Sequence, residues 1–298
     1  MENQRKGIKK SKGDKVFDCI VIIVMAIVIF MCLYPFYLAV VMSFNEGLDA
    51  QRGGIYLWPR SFTLDNYAKL FKDGAWGTAF AVTLARTLVG TFMTVFFTLF
   101  VAYGLSFKEL VFRKFYYGVF IFAMYFSGGV IPYYILLRSL HLLNTFWVYV
   151  VPGCLSLFYI IVATSFFQDI PKELGESARL DGAGEFTIFS RIILPISKPL
   201  MATIAIFTSV GHWNAWYESA FFVSNKSLRT LGYLMIAVIN SSKASTAAAD
   251  ASMQAASTTT TLSIQLAAMV IAVFPILCVY PYFQRYFVTG MTVGAVKS

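Results

Sequence analysis

Residues 173–195, ELGESARLDGAGEFTIFSRIILP, form a sharply patterned polar passage inside a chain that is otherwise strongly apolar. Pro171 stands where a helix can begin without losing a needed N–H, and Leu174 and Ala178 recur at i, i+4 until Asp181-Gly182 stops the pattern. A second short helical pattern follows, with Phe186, Phe189 and Ile193 on one side as far as Leu194-Pro195. Two short helices therefore meet at a glycine elbow, and no helix that crosses a bilayer can be built this way. Lys172, Arg179, Arg191 and Lys198 give the passage a positive bias, which places it on the cytoplasmic side.

The spacing within this stretch has several fixed points. Glu176-Ser177-Ala178, then Gly182 after three residues, then Ile192-Ile193-Leu194-Pro195 after nine more, resembles the cytoplasmic EAA loop of type I ABC importer permeases. Ser177 in place of the first Ala is the single departure. The resemblance implies that residues 171–195 are a coupling loop that docks into a cleft on an ATP-hydrolysing subunit. Glu176 would then be an anionic anchor for a basic residue of that subunit, and Gly182, next to Asp181, would give the elbow its bend. Leu174, Ala178 and Phe186 would supply apolar contact, and Leu194-Pro195 would lock the loop onto the following helix. The resemblance extends over about Gly77 to Ser298, with a core at about 77–283. It includes the helix ending AYGLSF at 102–107 and the tail QRYFVTGMTVGAVKS at 284–298, where Tyr286, Gly290 and Gly294 would reach the ATPase. The maltose-type carbohydrate permeases, particularly the LplC/YtcP-like branch that handles complex oligosaccharides, are the subgroup most like it.

Moving outward from the elbow, the rest of the chain is membrane in character. Of its 298 residues 58% are hydrophobic, and the mean hydropathy is +0.68, more apolar surface than a soluble domain can hide. The net charge of +9 does not point to nucleic acid, because the basic residues cluster in the tail and short loops beside apolar runs. Cys19, Cys32, Cys154 and Cys278 lie within apolar runs without a C-x-x-C pair, which argues against a disulfide framework or a metal site. Residues 1–16 form a basic cytoplasmic arm, and 17–298 form one transmembrane permease domain.

Six spans are expected, with both termini inside: 17–44, 77–106, 115–137, 145–167, from 198 through 219, and 262–283. The fold class is thus an all-α integral membrane protein of the type I ABC importer permease fold, multi-pass in a bacterial cytoplasmic membrane. Residues 45–76 form an external loop with a short surface helix, and 221–261 a mobile external loop. Along the second span Thr83, Thr87, Gly90, Thr94, Thr98 and Ala102 make a stripe of small residues suited to close helix approach. Arg86 in the same span is expected to snorkel to the outer boundary. Gly128-Gly129 with Pro132, and Pro152-Gly153, are expected to kink the third and fourth spans.

The resemblance implies a half-channel. This chain would pair with a second homologous permease subunit, sit on two ATP-binding subunits, and take carbohydrate from an extracytoplasmic solute-binding protein. No cofactor or metal is expected on this chain, since ATP and Mg belong to the partners and G-x-x-x-x-G-K-[ST] is absent from it. It is a non-catalytic permease, without a G-x-S-x-G nucleophile or a ligand set around its two histidines. Trp213, Asn214, Trp216 and Tyr217, beside His212 and Glu218, offer aromatic faces and polar groups for a sugar path; the same residue types equally suit an interfacial belt. A permease for a non-sugar solute, or a stand-alone secondary transporter, remains the alternative. The latter would carry several ionisable groups at mid-membrane.

Overall fold

The computed structural model describes residues 12–72, 74–247 and 259–295, so most of the basic arm, the low-complexity stretch 248–258 and the last three residues lie outside it. Fourteen α-helices follow one another among the described residues: α1 (Lys12–Ser43), α2 (Gly47–Gln51), α3 (Asp65–Lys72), α4 (Ala75–Ser106), α5 (Arg113–Tyr125), α6 (Val130–Ser139), α7 (Leu157–Gln168), α8 (Glu173–Leu180), α9 (Glu185–Ile188), α10 (Leu194–Ile196), α11 (Lys198–Asn214), α12 (Tyr217–Phe221), α13 (Leu231–Ala247) and α14 (Thr261–Ala295). Three are long and apolar enough to cross a membrane: α1, α4 and the Thr261–Val279 part of α14. Five spans result if the bent pairs α5–α6 and Glu185–Ile196 with Lys198–Phe221 each count as one.

The chain separates into two compact units. The smaller comprises the described part of 1–69 with 259–270, the larger 70–247 with 271–295. In the smaller unit, only Ala39, Val41 and Ser43 of α1 are buried. After it Asn66 donates to the Ser43 and Asn45 carbonyls at 2.9 Å each, and Asn45 Nδ2 donates to Asp49 at 2.9 Å, which closes the loop on itself. Gly47 is needed there because a Cβ would stand 2.3 Å from the Thr260 backbone nitrogen.

The larger unit is organised around α4. Its stripe of Thr83, Thr87, Gly90, Thr94, Thr98 and Ala102 is buried along its length, as the spacing predicts, and meets α7 and α11. Leu99, Ala102 and Tyr103 of α4 pack with Ile160, Ala163 and Phe167 of α7 and with Ile188, Phe189, Ile193, Leu200 and Ile204 from the elbow and α11.

Three expectations are corrected. The third span is no gentle kink: α5 and α6 meet at 117° across Phe126–Gly129, with Gly129 at φ 82°. The fourth is not one helix. It consists of a 3-10 turn at Phe146–Tyr149, irregular backbone through Pro152-Gly153, and the twelve-residue α7. Backbone groups freed by that break find partners on α4, where Thr94 Oγ1 donates to the Gly153 carbonyl at 2.9 Å and Thr98 Oγ1 accepts from Ser156 N at 3.3 Å. Third, the stretch expected as a mobile loop contains helix α13, whose start is held by Leu231 N donating to Thr83 Oγ1 at 2.8 Å. Its apolar run LGYLMIAVI is masked in the sequence by the alanine- and serine-rich segment after it. Finally, α14 continues through Pro275 and Pro281 to Ala295, so the described part of the expected tail is helical.

Candidate functional site

The elbow is built from a helix stop that the sequence dictates. Gly182 has φ 81°, a left-handed conformation that a residue with a Cβ resists. Its N–H bonds the Arg179 carbonyl at 3.0 Å while the Ala183 N–H bonds the Ala178 carbonyl at 2.9 Å, which together satisfy the last turn of α8. The chain then turns through Gly184 into α9, and a π-helical turn at Phe189–Ile193 buries Phe189 and Ile193 before Ser197 breaks the path by 81° into α11.

An ion-pair chain fastens the elbow to the end of α4. Arg179 grips Glu185 through Nε at 2.6 Å and Nη2 at 3.2 Å, and Tyr103 donates its hydroxyl to Glu185 Oε2 at 2.8 Å. The same guanidinium lies 5.6 Å from the centroid of the Phe107 ring. The Arg179 hydrogen bond is the main force that holds the Glu185 carboxyl below the usual carboxylate range, and the bond from Tyr103 acts in the same direction. The link between Arg179, Glu185 and Tyr103 escaped the sequence reading, which counted Arg179 only toward the positive bias, because nothing in their spacing marks it. Arg179 in the last turn of α8, beside the dipole's negative end, was the one available signal.

The outer surface of the elbow is apolar and uncovered. Leu174, Leu180 and Phe186 are 42%, 89% and 63% exposed, and Glu176 and Ser177 on the same elbow are exposed too. Leu180, the most exposed of the three, was missed, although it directly precedes the Asp181-Gly182 stop. Ala178 takes the other direction: it is half-buried against the chain's own core, together with Leu194. Asp181 and Pro195 are exposed. Tyr286, Gly290 and Gly294 recur every four residues on the backbone of α14.

A second feature lies along α4. A cavity of about 350 Å³ is walled by α4, the broken segment before α7, and α11 with the turn after it. Arg86 does not snorkel. It is 2% exposed, donates to Glu218 Oε2 at 2.9 Å and to the Ala215 carbonyl at 3.4 Å, and lies 4.9 Å from the centroid of the Tyr149 ring. His212 packs so closely on α4 that a Cβ at Gly90 would fall 2.5 Å from Nε2. Of the expected path residues Trp213, Asn214, Trp216 and Tyr217 none lines the cavity, whereas His212 and Glu218, read beside them, both do. Trp213 is buried, with its indole N–H on the Ala272 carbonyl at 2.9 Å and its ring edge-on to Phe80. Asn214 donates to the Val210 carbonyl at 3.0 Å, Trp216 is 39% exposed, and Tyr217 packs on Phe221 and Phe222. The neighbouring Thr208, Gly211, His212, Ala215 and Glu218 face the cavity instead, at intervals of three and four that the run of Trp and Tyr conceals.

This combination of a broken-helix membrane unit and a jointed polar elbow defines a transporter permease. Residues 94–293 match the family described as binding-protein-dependent transport system inner membrane component, and the chain belongs to it. It is 35% identical to Protein LplC of Bacillus subtilis (strain 168) over 97% of each chain. It is 31% identical to that organism's polygalacturonan/rhamnogalacturonan transport system permease protein YtcP, over 96% of this chain and 99% of that one. A crystal structure of a bacterial ABC transporter involved in the import of the acidic polysaccharide alginate shares the fold, with TM-score 0.81 over 94% of this chain and all of the other, at 24% identity.

Proposed function

We propose that this chain is one of two permease subunits of an ATP-driven carbohydrate importer, translocating oligosaccharide handed over by an extracytoplasmic binding protein. The observation that carries the reading is the elbow. Three uncovered apolar side chains, Leu174, Leu180 and Phe186, share the elbow with the exposed carboxylates Glu173, Glu176 and Asp181, on a bend fastened to α4 through Arg179, Glu185 and Tyr103. Exposed apolar side chains on one segment with exposed carboxylates are what a docking surface for a basic cleft requires. The description of YtcP as a polygalacturonan/rhamnogalacturonan permease, and of another relative as an arabinooligosaccharide permease, supports carbohydrate as cargo.

In this reading the chain crosses the membrane six times, both termini and the elbow face the cytoplasm, and the last turns of α14 extend the docking surface. ATP and Mg reside on the two partner ATPases. Closure of the ATPase pair moves the elbow as a body, and α4 and α11, which are packed against it, tilt between outward and inward access. Glu176→Lys should leave the protein in the membrane while transport per ATP hydrolysed collapses. Normal uptake by that variant, or purification of the assembled importer without an ATPase, contradicts the reading.

A further inference from the structure

The cavity beside Arg86 serves no part of the elbow, and its chemistry is specific. Arg86 and Glu218 contribute one positive and one negative charge, and no other Lys, Arg, Asp or Glu lines the cavity. They are paired at 2.9 Å, so the site offers no net charge to a ligand. It offers hydrogen bonds instead. Arg86 Nε and Thr208 Oγ1 are buried without a partner among the described residues. Thr208 is informative because Thr87, Thr164 and Thr203 all turn their hydroxyls back onto a carbonyl four residues earlier, at 2.7, 2.7 and 2.9 Å. Thr208 forgoes that bond and borders the cavity. Glu218 engages Arg86 through Oε2, which leaves Oε1 as an acceptor, and Tyr133 and Tyr159 add aromatic surface and phenolic groups. A volume of about 350 Å³ lies at the low end of the roughly 300–1,000 Å³ typical of small-molecule sites, room for a ring rather than a polymer.

We propose that this cavity binds one ring of a neutral, hydroxyl-rich sugar during passage, so that this subunit holds a substrate site of its own. The assignment rests on the reading of the chain as a carbohydrate permease. Vicinal hydroxyls both donate and accept, which suits Glu218 Oε1 and Thr208 on one side and Arg86 Nε on the other, with a tyrosine face for the C–H surface of the ring. A uronate ring is selected against. Its carboxylate would compete with Glu218 for one guanidinium and leave one of two carboxylates beside the cavity unpaired.

The test uses the complete importer, with its partner subunits, in lipid nanodiscs, and saturation-transfer NMR with four probes: maltotriose, cellotriose, galactotriose and trigalacturonate. At least one neutral trisaccharide should bind, with affinity falling about tenfold in Thr208→Val, as expected for one lost hydrogen bond. Trigalacturonate should bind more weakly than that sugar. Thr208→Val is nearly isosteric and keeps the fold testable. No binding by any neutral probe, unchanged affinity in Thr208→Val, or trigalacturonate binding at least as well would overturn the assignment. ATP hydrolysis by the same nanodiscs separates the two readings. Retained hydrolysis with failed sugar selectivity removes the cavity site alone, whereas an assembly that carries no ATPase removes both.

Discussion

Gly182→Ala tests the elbow at its most constrained point. At φ 81° an L-residue carries a left-handed backbone, which costs about 1–2 kcal/mol. No atom lies within 4 Å of where the new Cβ would stand, so within this chain the penalty is purely conformational. The bonds that depend on the bend, Gly182 N–H to Arg179 and Ala183 N–H to Ala178, should therefore open about 5- to 30-fold more often. Amide hydrogen exchange at Ala183 in the assembled importer measures that opening, and sugar taken up per ATP hydrolysed measures its effect on coupling. Gly182→Asn, which tolerates the left-handed region better, should recover much of both. Equal exchange in wild type and Gly182→Ala, or Asn faring no better than Ala, would refute the strain argument. A loss well beyond 30-fold would instead assign the glycine to close approach by the docked ATPase.

Three further outcomes are expected. Glu218→Met should destabilise the larger unit by about 3 kcal/mol because it strands the buried Arg86, and Arg86→Met by less because the Glu218 side chain is 28% exposed; the double variant should recover most of the loss in a thermal double-mutant cycle. Since the folded Glu185 carboxyl titrates below its unfolded value, its contribution to the elbow is complete above the unfolded pKa and disappears as pH falls through the lower folded one. Ala183 amide protection, corrected for intrinsic exchange, should hold at neutral pH and drop in acid, and Arg179→Gln should reduce that pH dependence. Gly90→Ala drives a methyl to 2.5 Å from His212 Nε2 and should lower thermal stability by about 1–3 kcal/mol, with His212→Ala suppressing the loss.

Local rules made the elbow legible: Gly182 stops α8, and the small-residue stripe of α4 turns inward as its spacing requires. What escaped were relations between distant segments. Arg86 looks like a snorkelling charge until Glu218, 132 residues away, is placed 2.9 Å from it. Tyr103 and Glu185, 82 residues apart, meet only because α9 folds back onto the end of α4. The broken fourth segment was hidden for the same reason, since its apolar run resembles a span and the hydroxyls that replace its helical bonds belong to α4. The emphasis on Trp213 and Trp216, with Thr208 unread, followed residue type, whereas the three-to-four spacing that joins Thr208 to His212 and Glu218 pointed to the other side of the same segment.

The unbroken course of α4 makes it a first-class lever. Tyr103 and Arg86 sit on one proline-free rod, 17 residues apart in sequence, a separation of about 25 Å along its axis. Pivoted near the lower contact, a tilt of only about 5° would sweep the upper one sideways by roughly 2 Å, more than the slack in any hydrogen bond. A nudge at the bottom too small to unseat Glu185 would thus re-aim the guanidinium at the top, so grip and release of cargo need no moving part other than the rod.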